Sequence, residues 1–274
     1  MTAGVGMELN DLVKAFRGVG LEDGDSVIVH SSFRSLGSVE DGPGTVIRAL
    51  IETVGVSGNL MLPTFNYTRP VPEPYYDPEE TPGRTGIITE LGRKWPGAVR
   101  SLHPTHSVTV IGPDADKLTR DHLECRVFGI GSPIDRLAKM GGKILLIGVT
   151  NASSSMIHVG EEYAGIPKVS WYDDLPSVKI KMPDGTIKAH QIDTSSSCSA
   201  AFGAVDYVLR RKGHICDART GRCLLQLMRG SNVIEAVCDM IKDKPDILLC
   251  TWPECKPCAG ARKKLIDQGR ITPQ

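Results

Sequence analysis

The stretch Asp25-Ser-Val-Ile-Val-His30-Ser31-Ser32-Phe33-Arg34-Ser35-Leu36-Gly37-Ser38-Val39-Glu40-Asp41-Gly42-Pro43-Gly44-Thr45 decides how this chain is read. A short apolar run ends in a polar, glycine-rich segment, after which Val46, Ile47, Leu50, Ile51 and Val54 recur at helical spacing. The pattern predicts a buried strand over 25–30, a loop, and a helix capped by Thr45, with Leu60-Met-Leu-Pro63 as the next strand. Together these make a βαβ unit in outline.

Working outward, Leu9, Leu12, Val13 and Phe16 predict a helix before the first strand. Downstream, the pattern predicts a helix over 87–95, a strand over 107–111, a helix started by Ser132-Pro133, and a buried strand over 143–147. A short helix over 155–163 follows, then a hairpin turning at Pro183-Asp184-Gly185, then two amphipathic helices near 199–211 and 233–241. Strands alternate with helices in the first half, so the expected fold is one α/β domain over 1–274 with a mixed, largely parallel sheet and an inserted β-hairpin. Prolines at 70, 72, 74, 78 and 82 exclude a helix or central strand at 68–82. With Tyr75, Tyr76 and Asp77 embedded in it, this segment is expected to be a lid.

Composition removes several function classes. Lys plus Arg equals Asp plus Glu at 32 each among 274 residues, so no overall field draws the protein to nucleic acid or an anionic membrane. The N-terminus lacks the apolar core of a signal peptide, and no stretch reaches the roughly 18 uncharged apolar residues of a membrane span. The expected location is the cytoplasm, where the eight cysteines are thiols or metal ligands rather than disulfides.

Three segments carry residues suited to chemistry. The loop from His30 to Gly44 joins a strand end to a helix start, where hydroxyls and free N–H groups can receive phosphate, although a plain polar connection fits equally well. Arg100-Ser101-Leu102-His103-Pro104-Thr105-His106-Ser107 offers a guanidinium for an anion, or a loop whose imidazoles bond the backbone. No carboxylate or cysteine partner nearby completes a metal site there. In Ser155-Met-Ile-His158-Val-Gly-Glu161-Glu162, a helix places Ser155, His158 and Glu161 on one face. A carboxylate beside imidazole fixes its tautomer and raises its basicity, as a base acting on an amine requires; a solvated surface pair is the alternative. No G-x-S-x-G elbow is present, which argues against a serine hydrolase.

In order along the chain, the Val-His-Ser-Ser strand end at 29–32, the Ser-Leu-Gly turn at 35–37, the Arg-Ser-x-His-Pro-x-x-Ser segment at 100–107, the Ser132-Pro133 helix start and the His158-x-x-Glu161 motif resemble the aminoglycoside 3-N-acetyltransferase family. Met61-Leu-Pro-Thr64, Tyr76-Asp77-Pro78 and Arg93 add to the match. The resemblance implies a three-layer α/β/α sandwich that uses acetyl-CoA as co-substrate and transfers acetyl directly to an amino group of a small polycationic substrate. It implies His158 as general base with Glu161 as its partner, and His30 near the thioester. Ser31, Ser32, Ser35, Leu36, Gly37, Ser38 and Val39 would hold the cofactor, with Arg100, Ser101, His103 and Ser107 lining its channel. Tyr76, Asp77 and Glu162 would face the ammonium groups, although Asp77 fits the start of the Pro78 turn equally well. Another small amine as acceptor, or a CoA-binding module without turnover, are the alternatives.

Cys250-Thr-Trp-Pro-Glu-Cys255-Lys-Pro-Cys258 forms a cysteine-rich tail, with His214, Cys216 and Cys223 upstream. A second CxxC with zinc-knuckle spacing is missing, so free thiols are expected over a structural zinc.

Overall fold

The computed structural model describes residues 6–66, 75–170, 177–191, 193, 195 and 197–272. Helix α1 (Leu9–Gly18) buries Leu12, Val13 and Phe16, the predicted stripe. Strand β1 (Ser26–Ser31) follows, then α2 (Pro43–Val54) and β2 (Asn59–Pro63). The cap of α2 is Gly42, with Pro43 in the first turn, and not Thr45. Proline suits that first turn because its fixed φ is already helical and its missing N–H would have had no partner there. Thr45 instead donates its hydroxyl to the Glu40 carbonyl at 2.7 Å.

Strand β1 pairs in parallel with β2 on one side and with β5 (Lys143–Ile147) on the other. Among the described residues, these three strands are the whole parallel part of the sheet. Antiparallel strands flank them: β4 (Val108–Ile111) and the two-residue β3 (Val99–Arg100) beyond β2, and β9 (Cys223–Arg229) and β8 (Cys216–Thr220) beyond β5. The β8–β9 pair is absent from the sequence reading. Leu224, Leu225, Leu227 and Met228 interrupt any clean alternation, so the run fits a helix as well as a strand.

Alternation along each central strand feeds two cores. Val27, Val29, Leu60, Leu62, Leu145 and Ile147 pack with α1, α2 and α3 (Ile87–Arg93). Ile28, Met61, Ile144 and Leu146 face the other way, toward α4 (Ala115–Thr119), α5 (Pro133–Lys139), α6 (Met156–Tyr163), α7 (Val205–Arg211), α8 (Gly230–Asp243) and α9 (Lys256–Asp267). The result is the expected three-layer sandwich. Ser132 caps α5 as predicted, its hydroxyl accepting from the Asp135 N–H.

The inserted hairpin, β6 (Ser177–Lys181) and β7 (Ile187–Gln191), forms a separate sheet. Tyr76 bonds along β6, its N–H to the Lys179 carbonyl and its own carbonyl to the Lys181 N–H, both at 2.8 Å. Residues 68–74 of the expected lid lie outside the described residues; the part from 75 to 82 is stitched to the hairpin.

Helix α6 approaches α8 closely at Gly160, where an added Cβ would lie 2.6 Å from the Val237 Cβ. Gly160→Ala gains up to about 1 kcal/mol of helix propensity but meets an overpacking cost of about 1–3 kcal/mol. The variant should lose net stability in urea unfolding, and pairing it with Val237→Ala should cost less than the two single changes summed.

Candidate active site

The parallel strands set where a site can form. Because β1 has β2 on one side and β5 on the other, the loops leaving their carboxyl ends diverge and open a crevice. A cleft of about 680 Å³ lies there, lined by His30 and Ser31 of β1, Pro63 of β2, and Val149 and 152–155 after β5, with His158 in its wall. That volume accommodates a small-molecule ligand.

The His158 Nδ1 lies 3.0 Å from the Glu161 Oε2, one turn along α6. An ionised carboxylate only accepts, so Nδ1 carries the proton and Nε2 presents a lone pair. Phe128 stacks on the imidazole at 4.6 Å and 10°, and Phe202 meets it edge-on at 4.6 Å. Burial lowers the His158 pKa below its ordinary value against the opposing pull of Glu161. The imidazole is therefore neutral at neutral pH, the state a base requires.

Glu161 has no exposed surface. Besides His158, its Oε2 accepts from the Ser197 hydroxyl and from the Lys168 ammonium at 3.2 Å. Burial alone would raise its pKa, but Lys168, His158 and Ser197 together hold it below the usual value, so the carboxylate is ionised. Ser197, Lys168, Phe128 and Phe202 are absent from the sequence reading. They reach α6 from both sides of it along the chain, and no local spacing signals that.

His30 accepts at Nε2 from the Ser155 N–H at 3.4 Å, which ties β1 to the start of α6, and burial lowers its pKa to about 4. His106 lines the cleft between Phe65 at 4.9 Å and Phe128 at 5.3 Å. Ser154 also lines it, with a buried hydroxyl that has no hydrogen-bond partner among the described residues.

Of the residues expected to hold a cofactor, Ser31 lines this cleft. Ser32, Ser35, Leu36 and Gly37 form and close a short 3₁₀ turn, with Ser35 donating to the Ser32 carbonyl at 2.6 Å. Gly148, at the end of β5, lets this turn nest, since a Cβ there would lie 1.7 Å from the Ser35 Oγ. Ser38 and Val39 are tied to the N-terminal segment, with the Met7 N–H donating to the Ser38 carbonyl at 2.9 Å. Arg100 is a brace: it donates to the Ser107 hydroxyl at 2.8 Å, the Thr64 carbonyl at 2.8 Å and the Pro78 carbonyl at 3.2 Å. Ser101 accepts from the Val108 N–H and donates to His122 Nδ1, at 2.9 and 2.8 Å. His103 accepts from the N–H groups of Thr105 and His106. These four support the cleft wall from behind and do not line it.

The three residues expected to meet substrate also sit away from the cleft lining. Tyr76 is fully buried with Val178 and Ile180, its hydroxyl donating to the Ser101 carbonyl at 3.2 Å. Asp77 starts the Pro78 turn, accepting from the Glu79 N–H at 2.9 Å, and pairs with Lys181 at 2.9 Å. Glu162 is buried against Arg126 and Lys168. Asp77 and Glu162 are thus each paired with a cation of this chain, and Asp77 takes the turn role that its sequence also offered.

Among the cysteines, the fourth neighbour of Cys250, Cys255 and Cys258 is Cys198, and not His214, Cys216 or Cys223. Cys216 and Cys223 belong to the distant β8–β9 edge of the sheet.

The profile of the aminoglycoside 3-N-acetyltransferase family matches residues 28–242. Aminoglycoside N(3)-acetyltransferase VII of Streptomyces paromomycinus is 33% identical over 214 residues, 72% of each chain. The crystal structure of a mutant of aminoglycoside acetyltransferase AAC(3)-IVa in complex with a gentamicin superposes with a TM-score of 0.83 at 25% identity, covering 96% of this chain and 99% of that one. AAC-IIIb, in a binary structure with CoASH, shares the fold at a TM-score of 0.75 and 23% identity, covering 88% and 98%. The profile spans the strands, the cleft and the His158–Glu161 pair alike, and the match to the Streptomyces enzyme extends over most of both chains. This chain belongs to the aminoglycoside 3-N-acetyltransferase family.

Proposed function

We propose that the protein moves the acetyl group of acetyl-CoA directly onto a 3-amino group of an aminoglycoside, in the cytoplasm, with His158 as general base. The observation that carries this reading is the imidazole whose Nδ1 is held by a buried, ionised Glu161 in the wall of the cleft. The relatives bound to a gentamicin and to CoASH support the two substrates.

The cleft fits an acyl carrier of this kind. Ser31, Ser153, Ser154 and Ser155 line it with hydroxyls, and the Ser154 hydroxyl is unsatisfied among the described residues. Ser31 contacts the cofactor, while Arg100, Ser101, His103 and Ser107 keep that wall rigid. His158 Nε2 takes the proton from the amine as its nitrogen attacks the thioester carbonyl. The same nitrogen then returns a proton to the departing thiolate. Glu161 stabilises the transient imidazolium and keeps the ring from rotating. N–H groups near the start of α6 face the developing oxyanion.

Among the described lining residues there is no carboxylate to meet a polycation. That observation favours a second reading, in which another small amine is the acceptor. Release of CoA thiol, measured with a panel of aminoglycosides and simple amines, separates the two. His158→Ala should lower kcat/KM by about 10²–10⁴-fold while leaving CoA binding intact, and normal turnover in this variant would remove the base assignment.

Two pH dependences follow. Burial, with help from Lys168, holds the His158 pKa down, so the acid limb of kcat/KM should fall below pH 6.5. Lys168→Met leaves the Glu161 charge less compensated, favours the imidazolium, and should move that limb to higher pH; Lys168→Arg should restore it. Stability responds separately. His30 and His122 have pKa values pushed down to about 4 by burial, so below their unfolded value of 6.5 the unfolded chain binds more protons. Each should cost about 2 kcal/mol of stability between pH 7 and 5. Urea midpoints at the two pH values check this, with a smaller fall expected in His122→Gln.

A further inference from the structure

Four cysteine sulfurs converge at the segment that follows Ser197, where Cys198 also lines the cleft. Those of Cys198, Cys250, Cys255 and Cys258 all lie within 4.8 Å of one another, the last two residues buried and the first two partly so. Cys198 and Cys258 are 3.5 Å apart, and all four are free thiols. A zinc tetrahedron with bonds of about 2.3 Å separates its sulfurs by about 3.8 Å, so the four need only small adjustments.

We propose that Cys198, Cys250, Cys255 and Cys258 form a structural zinc site that holds Ser197 and Lys168 against Glu161. Four sulfur ligands with no open position specify a closed, tetrahedral, thiophilic ion, and zinc does this without redox chemistry. As each sulfur coordinates, its thiol proton passes to solvent, so a divalent ion and four thiolates leave a cluster of net charge −2.

The link to the active site runs along two segments. Cys198 directly follows Ser197, whose hydroxyl donates to the Glu161 Oε2. Cys255 caps α9 and Cys258 lies in its first turn. From the same helix, Lys264 donates to the Lys168 carbonyl at 3.0 Å, and Gly260 packs so closely on Val169 that a Cβ would lie 3.0 Å from its methyl groups. One ion thus ties together both polar partners that Glu161 has beyond α6. This second half of the proposal rests on the reading of His158 as the base; the metal site does not.

The test is elemental analysis of the full-length protein, purified under reducing conditions, together with the absorption spectrum after exchange into cobalt. One zinc per chain and the bands of a tetrahedral cobalt tetrathiolate are expected. Cys198→Ser and Cys258→Ser should each lower metal content about tenfold or more, whereas Cys216→Ser on the β8 edge should not. Metal-free protein with four reduced thiols that takes up neither zinc nor cobalt would overturn the site, as would a Cys198–Cys258 disulfide in peptide maps. For the positioning role, zinc-stripped wild type should show a displaced acid limb of kcat/KM that zinc restores; an unchanged pH profile would overturn that role. Metal content reads out without any turnover, so a protein inactive on every amine leaves the zinc result decisive.

Discussion

A carboxylate with no solvent contact is the constraint on which the proposed site depends. Unpaired, Glu161 would be too costly to keep ionised in the interior, and it would take up a proton and release the imidazole from its hold. Three donors from three parts of the chain prevent this: His158 on the same helix, Lys168 just past its end, and Ser197 after the hairpin. Removing one partner of such a buried set costs about 3–5 kcal/mol, far more than any surface pair. The ion pairs are therefore better understood as fixing one geometry around His158 than as a general source of stability.

The sheet supplies the frame for that geometry. Among the described residues, parallel strand pairing within the seven-stranded sheet is confined to β2, β1 and β5, and this places the crevice at their carboxyl ends; the antiparallel flanks widen the sheet enough to seat helices on both faces. Helix α6 leaves β5 directly over the crevice, so its first turns deliver Ser155 and His158 to the cleft while Met156, Ile157 and Val159 anchor it in the core. Around the base, Phe128, Phe202, Phe65 and His106 pack as ring faces and edges. The burial that lowers the histidine pKa values is the same burial that keeps the base neutral.

Much of this was legible in the sequence where the controlling interaction is local. The strands over 26–31, 59–63 and 143–147 announce themselves as short apolar runs, and the His158–Glu161 pair follows from i, i+3 spacing once a helix is assumed. Where the control is tertiary, the sequence is ambiguous or silent. The Arg100 segment reads either as an anion receptor or as a plain loop, and Asp77 either as an ammonium receptor or as the start of the Pro78 turn; the bonds from Arg100 to Ser107 and Thr64 and the Asp77–Lys181 pair form across the fold and have no local signal. Ser197 sits in an unremarkable run of serines, and Cys198 lies 52 residues before Cys250 in the sequence, so neither partner could be matched by spacing.

The central claim is a neutral imidazole with its proton on Nδ1 and its lone pair on Nε2. Nitrogen NMR of the imidazole side chains, with His158 assigned by comparison with His158→Gln, measures both tautomer and titration. The account predicts the Nδ1–H tautomer at pH 7 and a midpoint below 6.5. An imidazolium at pH 7, or a proton resident on Nε2, would contradict it.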